Sequence, residues 1–401
     1  MLYLLALAYS IRLHLCGIYS MKASWRSSLR EAEPTLPPRV AAVIPAYRES
    51  PEVVERAVRS CLSLGVAEVV VVEDLDGCEP RLKGLSSPRV KVIAREGRRG
   101  WKAGALNEAL KHVRCDYILF LDSDFIACPR ALDELLSRMS PGVVAVQGYQ
   151  RHAPAGGWVS KAYSLLMAVL YLVELPGRLS LRMLVQVTGS NTLVRVEAIR
   201  ELGWRPRILE DLDFTLRAYL SSYRVEYTPL AVSVGLPPPT LLEAIRQQVR
   251  WACGLGQLAR EHTWRVIKSN LTLREKLDAL TVLHCYLLAA LPAAAAARTA
   301  LRPHIPCTFE LLHPALSVML ASASASSLIW IPVACRRDGV CRARWIIYLA
   351  AFLVLASLPA FISYVAGALG LSLGWHRTEK PASIDPHHAA GVDEVCAGVK
   401  P

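Results

Sequence analysis

Three long apolar stretches, at about 277–299, 309–334 and 345–373, dominate the last third of the chain. Each exceeds the roughly 20 residues a helix needs to cross a bilayer, so they predict transmembrane helices over 277–374. Arg336, Arg337, Arg342 and Arg344 lie between the second and third stretches and predict a cytoplasmic loop there. The 401 residues are 53% hydrophobic but also 20% charged, too polar for membrane spans alone, so a water-facing lobe must accompany them. The net charge of +12 would suit nucleic acid, an anionic membrane face or a phosphorylated substrate. Its placing decides among them. The cations flank the apolar stretches or sit near loops suited to phosphate. No basic stripe interleaved with aromatics is present, so no nucleic-acid partner is expected. The 11 cysteines form no CxxC pair, which argues against a zinc site and for mostly reduced, buried thiols in a cytosolic lobe.

Residues 1–20 are mostly apolar but carry Arg12 and His14. They lack the basic start and small-residue cleavage site of a removable signal, and read as a first span or an interfacial helix over 1–21. Lys22, Arg26 and Arg30 follow, then a proline-rich linker; together these make 22–39 a connecting segment. From Val40 onward, short apolar runs alternate with helical patterns. Strands are expected at 40–44, 68–72, 89–93, 117–121 and 143–147, and helices at 51–64, 101–113 and 212–220. That alternation predicts an α/β domain over 40–260 built on a mostly parallel sheet. Ligands of such sheets sit at the carboxyl ends of the strands. The all-apolar segment 159–175 reads as a buried core helix or as the wall of an acceptor or lipid path. An interfacial segment is expected at 261–276, and the polar tail from 381 reads as disordered.

Strand ends therefore come first. Asp122-Ser123-Asp124 closes the strand at 117–121, and carboxylates at i and i+2 leave a strand on one side. Two such groups suit a hard divalent cation, although an acidic turn would look the same. Asp74 and Asp76 end the second strand, placed either to bind a base or ribose or to form an Asx turn before Gly77. The run from Arg98 to Gly104 opens a helix with cations at its N-terminus, an arrangement suited to an anion, and Lys102 could reach a diphosphate. Glu210-Asp211 precedes a helix; Asp211 is a candidate general base or an N-cap. Gln247, Arg250 and Trp251 share a helical stretch. Arg250 could neutralise a leaving diphosphate and Trp251 could pack on a sugar ring, or the helix could lie on a membrane.

In this order and spacing, the motifs resemble those of the inverting, GT-A-type membrane glycosyltransferases of the cellulose, hyaluronan and mannan synthase kind, glycosyltransferase family two. The match runs over about 40–260. The resemblance implies donor binding by Pro45, Tyr47 and Glu49 of the first loop, by Asp74, by Lys102 of the KAG-x-LN segment, and by Asp122 and Arg250. It implies Mg2+ or Mn2+ on Asp122 and Asp124, and Asp211 of the ED motif as catalytic base. Thr188, Gly189 and Ser190, with Gln247 and Trp251 of QxxRW, would bind the acceptor. Thr378 and Lys380, in a Thr-Glu-Lys element within 375–401, would close over the donor. Glu73, Leu75 and Leu209 depart from the usual motif residues without removing a required carboxylate.

The implied reaction moves a sugar from a nucleotide diphosphate donor, a UDP-sugar above a GDP-sugar, onto a growing β-linked polysaccharide. Single transfer to a lipid acceptor is the first alternative, and an inactive nucleotide-sugar-binding protein the second. The implied location is a multi-pass membrane protein with a cytoplasmic catalytic domain and membrane lipids around it. Three spans after that domain would put Thr378 and Lys380 on the far side, whereas the resemblance wants them inside. The last stretch, which contains Pro359, is therefore expected to be a bent hairpin or re-entrant element.

Overall fold

The computed structural model describes residues 2–22, 38–77, 79–154, 156–290 and 329–371, and these fall into two compact units. Of the described residues, the sheet unit takes 38–77, 79–154 and 185–237, and the helical unit takes 2–22, 156–184, 238–290 and 329–371.

The sheet unit holds β1 (Val40–Tyr47), β2 (Glu68–Leu75), β3 (Val90–Glu96), β4 (Tyr117–Phe120), β5 (Phe125–Ala127), β6 (Val143–His152), β7 (Thr192–Arg195) and β8 (Arg224–Gly235). The spatial order is β3-β2-β1-β4-β7-β6-β8-β5. The first four strands are parallel, as expected; β1, β2 and β4 are buried along nearly their whole length, while the edge strand β3 is buried only at Val90. Beyond β4 the sheet departs from the mostly parallel expectation. β7 runs antiparallel to both β4 and β6, and β5 antiparallel to β8, while β6 and β8 are parallel. The sheet is mixed because β7, entered after the helical stretch 158–180, runs back between β4 and β6 in the opposite direction to both.

Helix α1 is Leu2–Lys22, and α2 (Pro51–Ser63) makes the crossover from β1 to β2. It starts on Pro51, whose fixed φ suits a first turn, and lays Val54, Ala57, Val58 and Cys61 on the sheet core. Next come α3 (Trp101–Leu110) and α4 (Ala131–Leu136). β1 lies between β2 and β4, so the chain leaves it in one direction and returns on the other side. This is the switch point where α/β sheets open a crevice. Tyr47 ends β1, Asp74 lies near the end of β2, and Asp122 follows β4.

In the helical unit, α5 (Trp158–Val169) runs through a π-helical turn, Leu170–Glu174, into α6 (Leu175–Ser180). The sheet unit adds α7 (Val196–Leu202) and α8 (Glu210–Leu220). The helical unit continues with α9 (Leu241–Lys268), α10 (Leu273–His284), α11 over 329–338 and α12 (Ile346–Ala368). Gly256 of α9 and Gly367 of α12 let the two backbones touch: a Cβ on either would lie 2.1 Å from a carbonyl oxygen of the other helix. Arg12, an interruption of apolar sequence, is buried. Its Nε donates to Asp278 Oδ1 at 2.5 Å and its Nη2 to Glu174 Oε2 at 3.1 Å, where Arg178 Nη2 also donates. An ionic cluster thus ties α1 to the π turn, α6 and α10.

Among the described residues, two helices are long and apolar enough to cross a membrane, Trp158–Ser180 and Ala343–Ala368, the first largely buried within the protein and the second mostly exposed. The expectation at 277–299 is not met over its described part: α10 ends at His284 and a 3-10 turn, Cys285–Ala289, follows, so no single helix runs through 277–290, and 291–299 lie outside the described residues. Of 309–334, only 329–334 lie among the described residues. Pro359 sits inside one continuous helix, so the hairpin or re-entrant expectation for the last stretch is not met over Ile346–Ala368. Cys16, Cys61, Cys115, Cys253, Cys285 and Cys335 are thiols, all but Cys285 buried; Cys128 is disulfide-bonded and departs from that pattern.

Candidate active site

Strand register places the first group of side chains. Tyr47 of β1 pairs with Asp74 of β2, and Asp74 with Arg95 of β3, so the three stand in a row across the sheet. Burial pushes the Asp74 carboxyl up, and Arg95 offsets this, donating from Nε to Asp74 Oδ1 at 2.7 Å. Arg95 also donates from Nη1 to the Arg99 carbonyl at 2.6 Å and from Nη2 to the Trp101 carbonyl at 3.0 Å, so it pins the loop before α3. In that loop Arg98 (φ 38°) and Trp101 (φ 49°) adopt left-handed conformations, which concentrate at functional sites. The Arg98 guanidinium lies over the Tyr47 ring, 3.4 Å from its centroid. Tyr47 Oη and Arg48 Nη2 both donate to Asp76 Oδ2, at 3.1 and 2.7 Å. Pro45 and Glu49 are half-buried on either side of Tyr47.

Lys102, on the first turn of α3, gathers the second group. Its Nζ donates to Asp122 Oδ1 at 2.6 Å and to the Gly189 carbonyl at 2.8 Å, and lies 3.8 Å from Glu210 Oε1. Burial opposes the ammonium charge, but Asp122, Glu210 and Asp211 outweigh it and lift the Lys102 pKa above its ordinary value. Asp122 and Asp124 are both half-buried in the turn after β4. The Asp122 N–H donates to Ser190 Oγ at 2.8 Å. That bond exists because β7 pairs antiparallel with β4, which brings 188–191 beside the DxD turn.

The 188–191 loop is held by two glutamines of β6. Gln147 Oε1 accepts from the Thr188 N–H at 2.8 Å, and its Nε2 donates to the Ser190 carbonyl at 2.9 Å. Gln150 Nε2 donates to Thr188 Oγ1 at 2.7 Å and to the Ser190 carbonyl at 2.6 Å. Gly189 (φ 78°) closes the loop where a Cβ would lie 3.1 Å from both Asp211 Oδ2 and Lys102 Nζ.

Glu210 and Asp211 open α8. Leu209 takes the N-cap position and Asp211 the second helical one, so Asp211 is not the cap. Burial raises the pKa of both carboxyls; for Asp211, Lys102 and the Leu212 N–H, which donates to Oδ1 at 2.7 Å, pull the other way. The α3 helix also sets the approach to α8: Asn107 Nδ2 donates to the Trp204 carbonyl at 2.7 Å and Asn107 Oδ1 accepts from the Trp204 N–H at 3.2 Å.

Gln247, Arg250 and Trp251 lie in the helical unit, half-buried on α9. Trp251 packs against Tyr163 with ring centroids 6.4 Å apart. Gln247 Oε1 is buried with no hydrogen-bond partner among the described residues. Thr378 and Lys380 lie outside the described residues. Sequence reasoning missed Arg95, Gln147, Gln150 and Glu210 as parts of the site. For Arg95 and the glutamines no local signal exists, since strand pairing brings them in; Glu210 sits beside Asp211 and could have been singled out.

A mixed sheet with a switch-point crevice, and carboxylates gathered at its strand ends around one lysine, is the architecture of a glycosyltransferase of the GT-A class. A family model described as Glycosyltransferase like family 2 matches residues 37–254, and the chain belongs to that family. It is 27% identical over 261 residues to glucomannan 4-beta-mannosyltransferase 7 of Arabidopsis thaliana, covering 60% of this chain and 47% of the relative. It is 26% identical over 259 residues to a poly-beta-1,6-N-acetyl-D-glucosamine synthase of Staphylococcus epidermidis, covering 61% of each chain. The chain thus spans about half the length of the plant relatives it matches. Among solved structures, the mannosyltransferase PcManGT from Pyrobaculum calidifontis, in complex with GDP-Man and Mn2+, matches with a TM-score of 0.55 at 20% identity. The match covers 91% of this chain and 99% of that one, and shows a shared fold.

Proposed function

We propose that the protein is a membrane-bound inverting glycosyltransferase that moves a sugar from a nucleotide diphosphate sugar onto a hydroxyl of a growing β-linked polysaccharide. The observation that carries this reading is the meeting of Lys102 with Asp122, Glu210 and the Gly189 loop beside Asp211. A phosphate-seeking cation, a pair of candidate metal ligands and a base thereby share one crevice. The relatives named above make or extend β-linked polysaccharides by their names, which supports the acceptor class.

Asp122 and Asp124 fit a hard divalent cation. Both are oxygen donors on one turn, and Lys102 takes only Oδ1 of Asp122, leaving Oδ2 open. Mg2+ or Mn2+ held there would supply positive charge to a bound diphosphate. Tyr47 and Asp74 line the nucleoside side of the crevice, with Arg95 fixing the Asp74 carboxylate. Lys102 is placed to shift from Asp122 toward diphosphate oxygens as negative charge grows on the leaving group. Asp211 takes the proton of the acceptor hydroxyl as its oxygen bonds to the anomeric carbon and the bond to the diphosphate oxygen breaks. Its carboxyl is raised by burial, which makes it a stronger base than an exposed aspartate. Attack from the face opposite the leaving group inverts an α-linked donor to a β-linked product. Gln247, Trp251 and Arg250 serve the acceptor and the diphosphate in this reading; the unpartnered Gln247 Oε1 is an acceptor for a sugar hydroxyl.

The test is product partitioning. The purified chain, in nanodiscs with Mn2+ or Mg2+, is offered labelled UDP- and GDP-sugars. Label in glycosidase-sensitive, high-molecular-weight material supports the polysaccharide reading. Label extracted into organic solvent as one small species replaces it with single transfer to a lipid. No metal-dependent turnover of any donor removes the enzyme reading altogether.

A further inference from the structure

Away from the carboxylates, the helical unit contains a cavity of about 340 Å³ lined by Lys161, Arg344, Trp345, Ile347 and Tyr348. Lys161 lies on the first turns of α5, and the other four surround the start of α12. We propose that this cavity binds the headgroup phosphate of an anionic phospholipid, with an acyl chain lying along the exposed face of α12.

Three independent features define the head end. Two cations line the cavity, and neither Lys161 nor Arg344 has a carboxylate partner among the described residues. The first turn of α12 carries no acidic residue, so the positive end of its dipole adds to the two cations. Trp345 and Tyr348 supply rings with polar tips, the side chains that settle where water meets hydrocarbon.

The tail end follows from spacing. Ile347 lines the cavity and is 72% exposed. Ala351, Val354, Leu358 and Ile362 repeat from it at helical intervals of three and four, and all are exposed. The opposite face, including Phe352 and Ala356, is buried against Val159, Ala162 and Ala244. At 1.5 Å per residue the stripe extends about 22 Å, beyond the roughly 15 Å of one leaflet's hydrocarbon. A free phosphate would use the two cations and leave the stripe without purpose. A phospholipid matches both ends by charge and by polarity.

The inference stands on the helical unit and needs no sugar-transfer step, so either it or the proposed function can fail alone. The test is binding, read by native mass spectrometry on the full chain in phosphate-free detergent, titrated with phosphatidylglycerol or phosphatidylcholine. Phosphatidylglycerol should bind the more tightly. With about 1 kcal/mol per cation near an anionic surface, each lost charge should weaken it about fivefold, and the double variant Lys161→Gln/Arg344→Gln by roughly 25-fold. Arg344 is exposed and Lys161 only partly buried at the cavity, and glutamine keeps most of either side chain's length, so the double variant should fold, checked by its melting curve; Lys83→Gln, an exposed cation of the sheet unit, serves as control and should bind like the parent. Equal binding of the two lipids overturns the proposal, as does full retention in the double variant. Displacement of phosphatidylglycerol by millimolar inorganic phosphate overturns it in favour of a free-phosphate site.

Discussion

Gly189→Ala separates a role in catalysis from a role in folding. The glycine has φ 78°, and an alanine there carries the left-handed penalty of roughly 1–2 kcal/mol. Its new methyl would also lie 3.1 Å from Asp211 Oδ2 and 3.1 Å from Lys102 Nζ, so these two groups must retreat by a few tenths of an ångström. Gly65→Ala is the matched control: φ is 81°, but nothing lies within 4 Å of the added methyl. Both variants should lose about the same thermal stability, because the backbone penalty is the same. Their turnover should differ. Misplacing catalytic groups by about 1 Å costs on the order of 10²-fold, so a shift of a third of that predicts a drop of roughly fivefold in kcat for Gly189→Ala alone. Release of nucleoside diphosphate at saturating donor measures it, with melting curves recorded in parallel. Equal turnover in the two variants would refute the placement of Asp211 and Lys102 at the reacting centre.

Asp211→Asn should keep donor affinity and lose roughly 10²–10⁴ in kcat; a rise in KM with kcat intact would make Asp211 a binding group instead. Chelation of divalent cations should abolish transfer and Mn2+ or Mg2+ restore it, with Asp124→Asn demanding more metal for half-maximal rate than the parent. Burial holds the His152 imidazole down at about 4, against 6.5 for the ordinary group, so the unfolded chain takes up its proton first as pH falls. The folded state therefore loses stability from about 6.5 down toward 4, and melting curves of His152→Gln should fall less steeply over that window than the parent's. Arg12→Met leaves the buried Glu174 and Asp278 with Arg178 as their one shared cation and should cost about 3 kcal/mol, read as a loss of yield and melting temperature in detergent.

Much of the sheet unit was legible because its signals are local. Runs such as 69–72 read directly as buried strands, and the rule that ligands gather at strand ends pointed to Asp74 and Asp122 before any contact was known. What was illegible depends on pairing between distant segments. The row Tyr47, Asp74, Arg95 exists only in the register of three strands. The glutamine clamp on 188–191 requires β6 and β7 to be neighbours, and the antiparallel return of β7 is the feature that the alternation of strands and helices could not foretell. The first of the apolar stretches went astray for a similar reason. A hydropathy pattern sees composition, so it extended a span across 277–299, while the chain breaks its helix at His284. It likewise read Arg12 as an interruption, because the partners that satisfy it lie 162 and 266 residues away.

Charge balance gives the strongest reason to connect the candidate metal ligands with the candidate base. Counting these five groups alone, the carboxylates of Asp122, Asp124, Glu210 and Asp211 and the ammonium of Lys102 sum to −4 + 1 = −3 if all were ionised. Burial already raises the pKa of Glu210 and Asp211, so this excess bears on the very groups that must lose their protons. A divalent cation on the DxD turn would bring the sum to −3 + 2 = −1, favouring ionised Asp211 at the same time as it made the crevice receptive to diphosphate. A site arranged in this way would hold less of Asp211 in its ionised, proton-accepting form without metal and more of it with metal. Donor loading and the ionised fraction of the base would then rise together, because one lysine touches Asp122, the Gly189 loop and Glu210.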